Sequence, residues 1–161
     1  MSADPTVVLR PARPDEAAAL TALSLRSKAS WGYDAAFMAQ CVAELTVRAG
    51  DLDPATCAVA AAAEGGGAVG LVQWTREGTD AVLLKLFVVP ERFGQGIGHR
   101  LFAWAAEGAR VAGAQRIAVA ADPGAAPFYR RMGMRHAGTE PSLSIPGRLL
   151  PRLVLPLVPL G

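Results

Sequence analysis

The chain has 161 residues, of which 52% are hydrophobic and 19% charged, and this predicts one folded domain over residues 1–161 rather than a disordered chain. The formal net charge is only +2, with arginines spread along the chain, so we expect no nucleic-acid partner. Residues 1–5 lack the basic and apolar segments of a secretory signal, and no apolar run reaches the ~20 residues of a membrane span, so we expect a cytoplasmic protein without membrane contact.

The first third of the chain predicts a strand and two helices. A short apolar run over 7–11 is typical of a strand. Pro14, followed by two acidic residues, indicates the start of a helix, and Arg26 and Lys28 suit its end because they complement the helix dipole. Asp34 is a favourable cap for a second helix. Five apolar residues of that helix would share one face: Phe37, Met38, Cys41, Val42 and Leu45.

The middle of the chain predicts a meander of three strands. Apolar runs over 56–63, 68–75 and 81–89 have the length and composition of strands. Within this region Cys57 is an isolated thiol, as is Cys41 in the second helix. We expect both cysteines to be buried and reduced rather than joined in a disulfide.

A glycine-rich turn follows the third of these strands and leads into a helix. After Pro90, glycines stand at positions 94, 96 and 98, and apolar residues then recur every three to four positions over 97–112. Glycines in such a turn let backbone N–H groups point into one small volume at the positive end of the helix. The turn therefore predicts a cradle for a ligand that carries a pyrophosphate group.

Two other glycine-loop families fit this turn poorly. A P-loop requires Lys-Ser or Lys-Thr after its last glycine, whereas His99 and Arg100 follow here. A dinucleotide-binding loop requires the spacing G-x-G-x-x-G and an acidic residue about 20 positions later. The glycines here run G-x-G-x-G, and neither Glu107 nor Asp122 suits the contact with a ribose. On the turn alone, an ordinary tight connection without a ligand stays open.

The last third predicts a strand, a short helix and two final strands. A strand over 116–121 leads into the short helix, and Gly133 suits the left-handed residue that ends it. The final strands are expected over 134–145 and 149–157. Prolines interrupt the second of them, which predicts that it lies at an edge of the sheet.

Two segments together resemble the signature motifs of one superfamily. Residues 86–98, a strand ending in Val-Val-Pro and followed by the glycine turn, are similar to motif A of the GNAT superfamily, the acetyl-CoA-dependent N-acetyltransferases. Residues 122–134, with Ala-x-x-Phe-Tyr and a closing glycine, resemble motif B. Two positions depart from these motifs: Phe93 stands where relatives carry Arg or Gln, and Gly124 stands where they often carry Asn.

The resemblance implies an α/β (α+β) fold, in which a mixed, mostly antiparallel sheet of about seven strands carries helices on both faces. The strands before the two motifs would splay apart, and the pantetheine arm of CoA would lie in the gap. Acetyl-CoA would be the co-substrate, and no metal is expected. The residues implied in cofactor binding come from both motifs: Phe87, Val88, Val89, Gly94, Gln95, Gly96, Ile97, Gly98, His99, Ala126 and Phe128.

The resemblance also implies catalytic roles. Tyr129 would be the general acid for the leaving thiolate, since a phenol of pKa ~10 is protonated at neutral pH. A backbone N–H within 87–89 would polarise the acetyl carbonyl. The motif A strand offers no carboxylate as a general base, and Glu44 on the second helix is the leading candidate. Each side chain has a plainer alternative, namely a core aromatic for Tyr129 and a solvated carboxylate beside Arg48 for Glu44.

The acceptor pocket is expected between the two N-terminal helices, where the family commonly builds it. Trp31 and Tyr33 lie there, with a packed aromatic turn as the alternative interpretation. Strand alternation places Lys85 on the same face as Leu83 and Phe87. In that position Lys85 would bind an acidic substrate or pair with a buried carboxylate, unless it is a surface residue at a strand edge.

The sequence thus predicts an N-acetyltransferase that acts on a primary amine of a small molecule or peptide by direct attack in a ternary complex. A non-catalytic acyl-CoA-binding regulatory module is the main alternative, because Phe93, Gly124 and the missing strand carboxylate depart from the active pattern. A nucleotide-binding oxidoreductase rests on the glycine turn alone. The sequence does not name the acceptor amine, and a homodimer stays open.

Overall fold

The computed structural model describes residues 6–63 and 65–159, so residues 1–5, which informed the expected localisation, lie outside the described residues. Seven strands are described: β1 (Val7–Arg10), β2 (Cys57–Ala62), β3 (Ala68–Glu77), β4 (Asp80–Val88), β5 (Arg116–Ala120), β6 (Arg135–Pro141) and β7 (Leu149–Pro156). Four α-helices accompany them: α1 (Ala17–Ala29), α2 (Ala35–Leu45), α3 (Ile97–Val111) and α4 (Ala126–Arg131). None of the helices described here has both the length and the apolar character needed to cross a bilayer.

The strands form one open sheet in the order β1-β2-β3-β4-β5-β7-β6. Only β4 and β5 pair in parallel, and the other pairs in the described sheet are antiparallel. This confirms the mixed, mostly antiparallel sheet expected from the sequence. The edge position expected for the last strand is wrong, because β7 lies between β5 and β6 and pairs with both. The edges of the sheet are β1 and β6, and the chain returns β7 to the interior after the β6 hairpin.

Helices cover both faces of the sheet, as predicted. On one face α3 and α4 enclose the larger core, which includes Leu101, Ile117 and Leu153 with no measurable exposure. On the opposite face α1 packs over a smaller cluster that includes Leu20 and Cys57. The two cysteines are buried free thiols, as predicted, and burial raises the pKa of Cys57 to about 11.

The two N-terminal helices begin much as their sequences indicate. The predicted start at Pro14 is a single 3-10 turn, and the α-helix follows from Ala17. The carboxylate of Glu16 fixes this turn, since it accepts hydrogen bonds from the Arg10 guanidinium at 2.7 and 2.8 Å. The predicted cap of α2 is confirmed, because the backbone N–H of Phe37 donates to the Asp34 carboxylate at 2.8 Å.

A β-bulge interrupts the pairing of β4 with β3. Lys85 lies opposite Gln73, but Leu83 lies opposite Trp74, so Leu84 is an extra residue on β4. A bulge of this kind reverses which face the following side chains occupy. Leu83 therefore belongs to the core beneath α3, while Lys85 lies on the opposite face of the sheet, the face that α1 covers. The sequence-based placement of Lys85 on the face of Leu83 is wrong for this reason.

The parallel pairing of β4 and β5 is short. It joins Asp80–Val82 to Arg116–Ala118, and both strands continue past these residues without further pairing to each other in the described chain. The two strands thus diverge toward their carboxyl ends. The gap expected before the two motifs is present, and it opens the sheet between them.

Candidate active site

A cleft of about 710 Å³ occupies the gap between β4 and β5. Motif A and the start of α3 line one end of it, and α4 contributes Phe128 and Tyr129 to its wall. At the other end α1, α2 and the segment after β6 contribute Lys28, Glu44 and other side chains. The cleft therefore joins the two motifs to the N-terminal helices through the opened sheet.

The glycine turn places backbone amides at the first end of the cleft. Gly94 and Gly96 have φ angles of 78° and 80°, the left-handed region that favours glycine. Gly96 precedes the first residue of α3, and the amide of Arg100 donates back to its carbonyl at 3.1 Å. The amides of residues 97–99 thus have no partner within the helix and lie at its positive end. This arrangement fits an anionic group such as a pyrophosphate.

The side chains in and beside the glycine turn contact each other, the cleft and α4. Phe93 is 49% exposed and lines the mouth of the cleft. The Arg92 guanidinium donates to the Gln95 side-chain carbonyl at 3.3 Å. At Gly98 an added Cβ would lie 3.1 Å from the ring of Phe128, so a glycine here lets α3 and α4 approach closely. The two motifs are therefore in direct contact.

The backbone of β4 offers hydrogen-bond donors to the gap. The N–H of Val89 donates to the carbonyl of Val69 at 2.9 Å, so it faces β3. In an antiparallel pair, the N–H groups of successive residues point alternately toward and away from the partner strand. The N–H of Phe87, two residues before Val89, therefore also points toward β3. The N–H groups of Leu86 and Val88 consequently face away from β3, toward the gap left by β5. Within the predicted range 87–89, only Val88 has its amide directed to the cleft.

Tyr129 lies in the wall of the cleft at the middle of α4. It is only 6% exposed and packs against Phe128 and Phe102, with ring centroids 5.1 and 6.2 Å away. Its burial raises the pKa of the phenol well above the ordinary value. No side chain or carbonyl of the described residues hydrogen-bonds the Tyr129 hydroxyl. The hydroxyl is a protonated donor that borders the cleft.

Glu44 lies at the second end of the cleft, on the last turn of α2. Its carboxylate accepts a hydrogen bond from the Ser144 hydroxyl at 2.8 Å, which links α2 to the segment between β6 and β7. Among the described ion pairs none joins Glu44 to Arg48. Glu44 is exposed and faces the cleft.

Trp31 projects into the cleft from the segment between α1 and α2. The benzene part of its indole lies over Gly124, where an added Cβ would come within 2.8 Å of Trp31 Cε3. The indole nevertheless remains 47% exposed and lines the cleft. Gly124, a departure from motif B, thus provides the space that Trp31 occupies.

Asp122 forms a polar cluster beside Trp31 that the sequence did not predict. Its carboxylate accepts hydrogen bonds from the Tyr33 hydroxyl at 2.6 Å and from the Gly124 amide at 3.0 Å. Lys28 and Arg148 lie 3.7 and 3.9 Å from the same carboxylate. The cluster ties α1, the Trp31 segment and the β6–β7 segment to the turn after β5. Two of its members, Tyr33 and Arg148, are 115 positions apart in sequence, and no local pattern signals such a contact.

The cleft brings together most of the residues predicted for the site. Its lining includes these: Trp31, Glu44, Lys85, Phe87, Val88, Gly94, Gly96, Ile97, Gly98, His99, Phe128 and Tyr129. Four other predicted residues lie outside the lining: Tyr33, Val89, Gln95 and Ala126. Tyr33 turns to Asp122, Val89 pairs with β3, Gln95 binds Arg92, and Ala126 is buried in the core while Ala125 faces the cleft.

The family model of the GNAT acetyltransferase domain matches residues 54–135, just over half of the chain. The chain therefore belongs to the GNAT acetyltransferase family, as the two motifs and the opened sheet indicate. A search of curated proteins found no significant match. Across the described residues, no group of three or more His, Cys, Asp or Glu is arranged to hold a metal ion.

Solved structures share this fold over nearly the whole chain. A GCN5-related N-acetyltransferase from Rhodopseudomonas palustris is 23% identical with a TM-score of 0.73, covering 98% of this chain and 99% of its own. The PaiA N-acetyltransferase from Thermoplasma acidophilum, solved in complex with coenzyme A, is 15% identical with a TM-score of 0.70 and coverages of 92% and 97%. The ribosomal-protein-S18-alanine N-acetyltransferase from Escherichia coli is 15% identical with a TM-score of 0.67, covering 96% of each chain.

Proposed function

We propose that the protein transfers an acetyl group from acetyl-CoA to a primary amine of a small molecule or peptide, by direct attack while both substrates are bound. The observation that carries this proposal is one continuous cleft with three features. A glycine turn with outward amides lies at one end, Tyr129 borders the middle, and Glu44 lies at the other end. Holding both substrates in one cleft supplies much of the rate without a covalent enzyme intermediate.

The donor end of the cleft fits CoA by its shape and its backbone donors. The amides of residues 97–99 would hold the pyrophosphate, and Gly94 leaves open space where a side chain would otherwise stand. The amide of Val88 would donate to the acetyl carbonyl as negative charge develops on its oxygen. When bound, acetyl-CoA supplies the activated thioester that the amine attacks.

Proton transfer would involve both ends of the cleft. Tyr129 would donate its proton to the departing thiolate, a role suited to a phenol that burial keeps protonated. Glu44 would hold the incoming ammonium and accept its proton, directly or through water. The Ser144 hydroxyl fixes one oxygen of Glu44 and leaves the other for the amine.

Release of free CoA thiol from acetyl-CoA, measured across a panel of amines, tests the proposed function. We expect release that depends on both the enzyme and an amine, together with an acetylated product in the mass spectrum. A regulatory module would instead bind acetyl-CoA in calorimetry and release no thiol with any amine. That result would overturn the proposed catalysis, whereas the fold and the binding of acetyl-CoA would still stand.

We expect Glu44→Gln to raise the KM for the acceptor or lower kcat by about 10-fold, because it removes the charge that holds and deprotonates the amine. The KM for acetyl-CoA should not change, since Glu44 lies at the opposite end of the cleft. Glu107→Gln is a matched control, because that carboxylate pairs with Arg110 on the outer surface of α3. Steady-state kinetics equal to the parent's for both substrates would remove Glu44 from the site.

We expect Gly124→Ala to displace Trp31 and thereby change the acceptor KM in the same direction as Trp31→Ala. The added Cβ would stand 2.8 Å from the indole, so the ring must shift. The two substitutions should be strongly non-additive, with a coupling of about 0.5–3 kcal/mol in a double-mutant cycle. Gly50→Ala is the control, since an added Cβ there meets nothing within 4 Å. Additive effects would show that Trp31 and Gly124 act independently.

A further inference from the structure

Lys85 is a cation in the cleft with few partners. Its ammonium donates one long hydrogen bond, to the side-chain carbonyl of Gln73 at 3.3 Å. Within the described chain no carboxylate lies within ion-pair distance of it, although Asp51 and Glu44 attract it from farther away. Burial lowers the pKa of Lys85, which reflects the cost of removing this charge from water. A partly buried ammonium with unused donors favours an anionic ligand.

The bulge in β4 aims this cation at the acceptor end of the cleft. Because Leu84 is the extra residue, Lys85 lies on the face covered by α1 and not in the core beneath α3. Lys85 and Glu44, the proposed amine-binding carboxylate, both line the cleft, and the Glu44 carboxylate attracts the Lys85 ammonium. Bulges beside active sites commonly redirect one side chain in this way.

Two other cations near this end, Lys28 and Arg148, lie close to a carboxylate. Asp122 is bound by Tyr33 and the Gly124 amide and lies between Lys28 and Arg148, so these two cations have a carboxylate nearby. Glu44 is held by a neutral hydroxyl and remains available to a cation. Glu44 and Lys85 are thus a carboxylate and an ammonium of this cleft that form no ion pair within the described residues.

We propose that the acceptor is an amino acid or a related amine that carries its own carboxylate, with Lys85 binding the carboxylate and Glu44 binding the amine. This inference rests on the proposed function and names its substrate class. In the transfer the amine nitrogen bonds to the acetyl carbon and the carbon–sulfur bond breaks. Starting from the ammonium, the nitrogen loses two protons, one to Glu44 before the attack and one after the carbon–nitrogen bond forms. The thiolate gains one proton from Tyr129, one proton is released to solvent overall, and the carboxylate of the acceptor is unchanged.

The test compares α-, β- and γ-amino acids with their carboxamides as acceptors for the unaltered protein, by release of CoA thiol. We expect at least one amino acid to exceed its carboxamide in kcat/KM by about 10- to 100-fold, the effect of one charged hydrogen bond. An amine beside a carboxamide loses its proton more readily, so intrinsic reactivity would favour the opposite order. Carboxamides that match or exceed every amino acid, with thiol still released, would overturn the inference but leave the proposed function intact.

Two variants identify the cation responsible. Lys85→Met keeps the length and apolar stem of the side chain, and we expect it to abolish the preference for the carboxylate while sparing the carboxamide and the KM for acetyl-CoA. Lys28→Met removes a cation that lies beside Asp122, and it should retain the preference. Equal loss for both classes of acceptor in Lys85→Met would assign Lys85 to proton transfer and overturn the inference. Loss of the preference only in Lys28→Met would overturn it as well.

Discussion

Tyr129→Phe is expected to lower kcat by about 10- to 10⁴-fold while leaving the affinity for acetyl-CoA nearly unchanged. The substitution removes only the hydroxyl, and the ring keeps its packing against Phe128 and Phe102. Because burial raises the pKa of Tyr129, this acid stays protonated up to at least the ~10 of a free phenol, and it should cause no decline of kcat below that pH. Pre-steady-state kinetics and calorimetry with acetyl-CoA measure the two effects separately.

Tyr33→Phe is the matched control for Tyr129→Phe, because the chain contains only these two tyrosines. The Tyr33 hydroxyl binds Asp122 and accepts from Arg148, outside the lining of the cleft. We expect its loss to alter the acceptor KM more than the chemical step. Full turnover in Tyr129→Phe with chemistry limiting would show that Tyr129 serves only packing and that the thiolate departs without an acid.

Gly96→Val is expected to weaken acetyl-CoA binding by about 100-fold, because it places a branched side chain among the amides proposed to hold the pyrophosphate. The φ angle of 80° at Gly96 adds a strain of about 1–3 kcal/mol for a residue with a Cβ. Calorimetry measures the affinity, and thermal unfolding shows whether the variant remains folded.

Gly113→Val separates backbone strain from loss of the ligand site. Gly113 follows α3 with a φ angle of 86°, and an added Cβ there meets nothing within 4 Å. The variant should lose similar stability and retain its affinity for acetyl-CoA. An unchanged affinity in folded Gly96→Val would show that the glycine turn does not bind the pyrophosphate.

The order of the elements could be predicted because each carries its own local signal. Asp34 caps α2 through a hydrogen bond three residues away, and the positive φ of Gly133 follows from the need to end α4. The prolines of the last strand predict an edge position for it, but β7 lies inside the sheet. The neighbours of a strand are determined by long-range packing and not by its own prolines. Strand order depends on contacts between residues that are distant in sequence. The spacing of apolar residues within one segment contains no information about such contacts.

The residues of the proposed donor end could be predicted more fully than those of the proposed acceptor end, for a related reason. The donor end consists of backbone groups in two contiguous motifs, and glycines mark them directly. The acceptor end depends on the bulge at Leu84 and on contacts such as Ser144 with Glu44, 100 positions apart. Strand alternation assumes regular pairing. Because it does not account for the extra residue Leu84, it predicts the wrong face of the sheet for Lys85.

One strand can serve two ligands independently because its amides and its side chains point in perpendicular directions. Under the roles proposed here, the amide of Val88 acts on the donor substrate shared by a whole family, whereas the side chain at position 85 acts on the acceptor. A substitution at position 85 would change the second function without touching the first. With these roles, the bulge would let acceptor specificity change by single replacements at position 85, while the groups that act on acetyl-CoA stay the same.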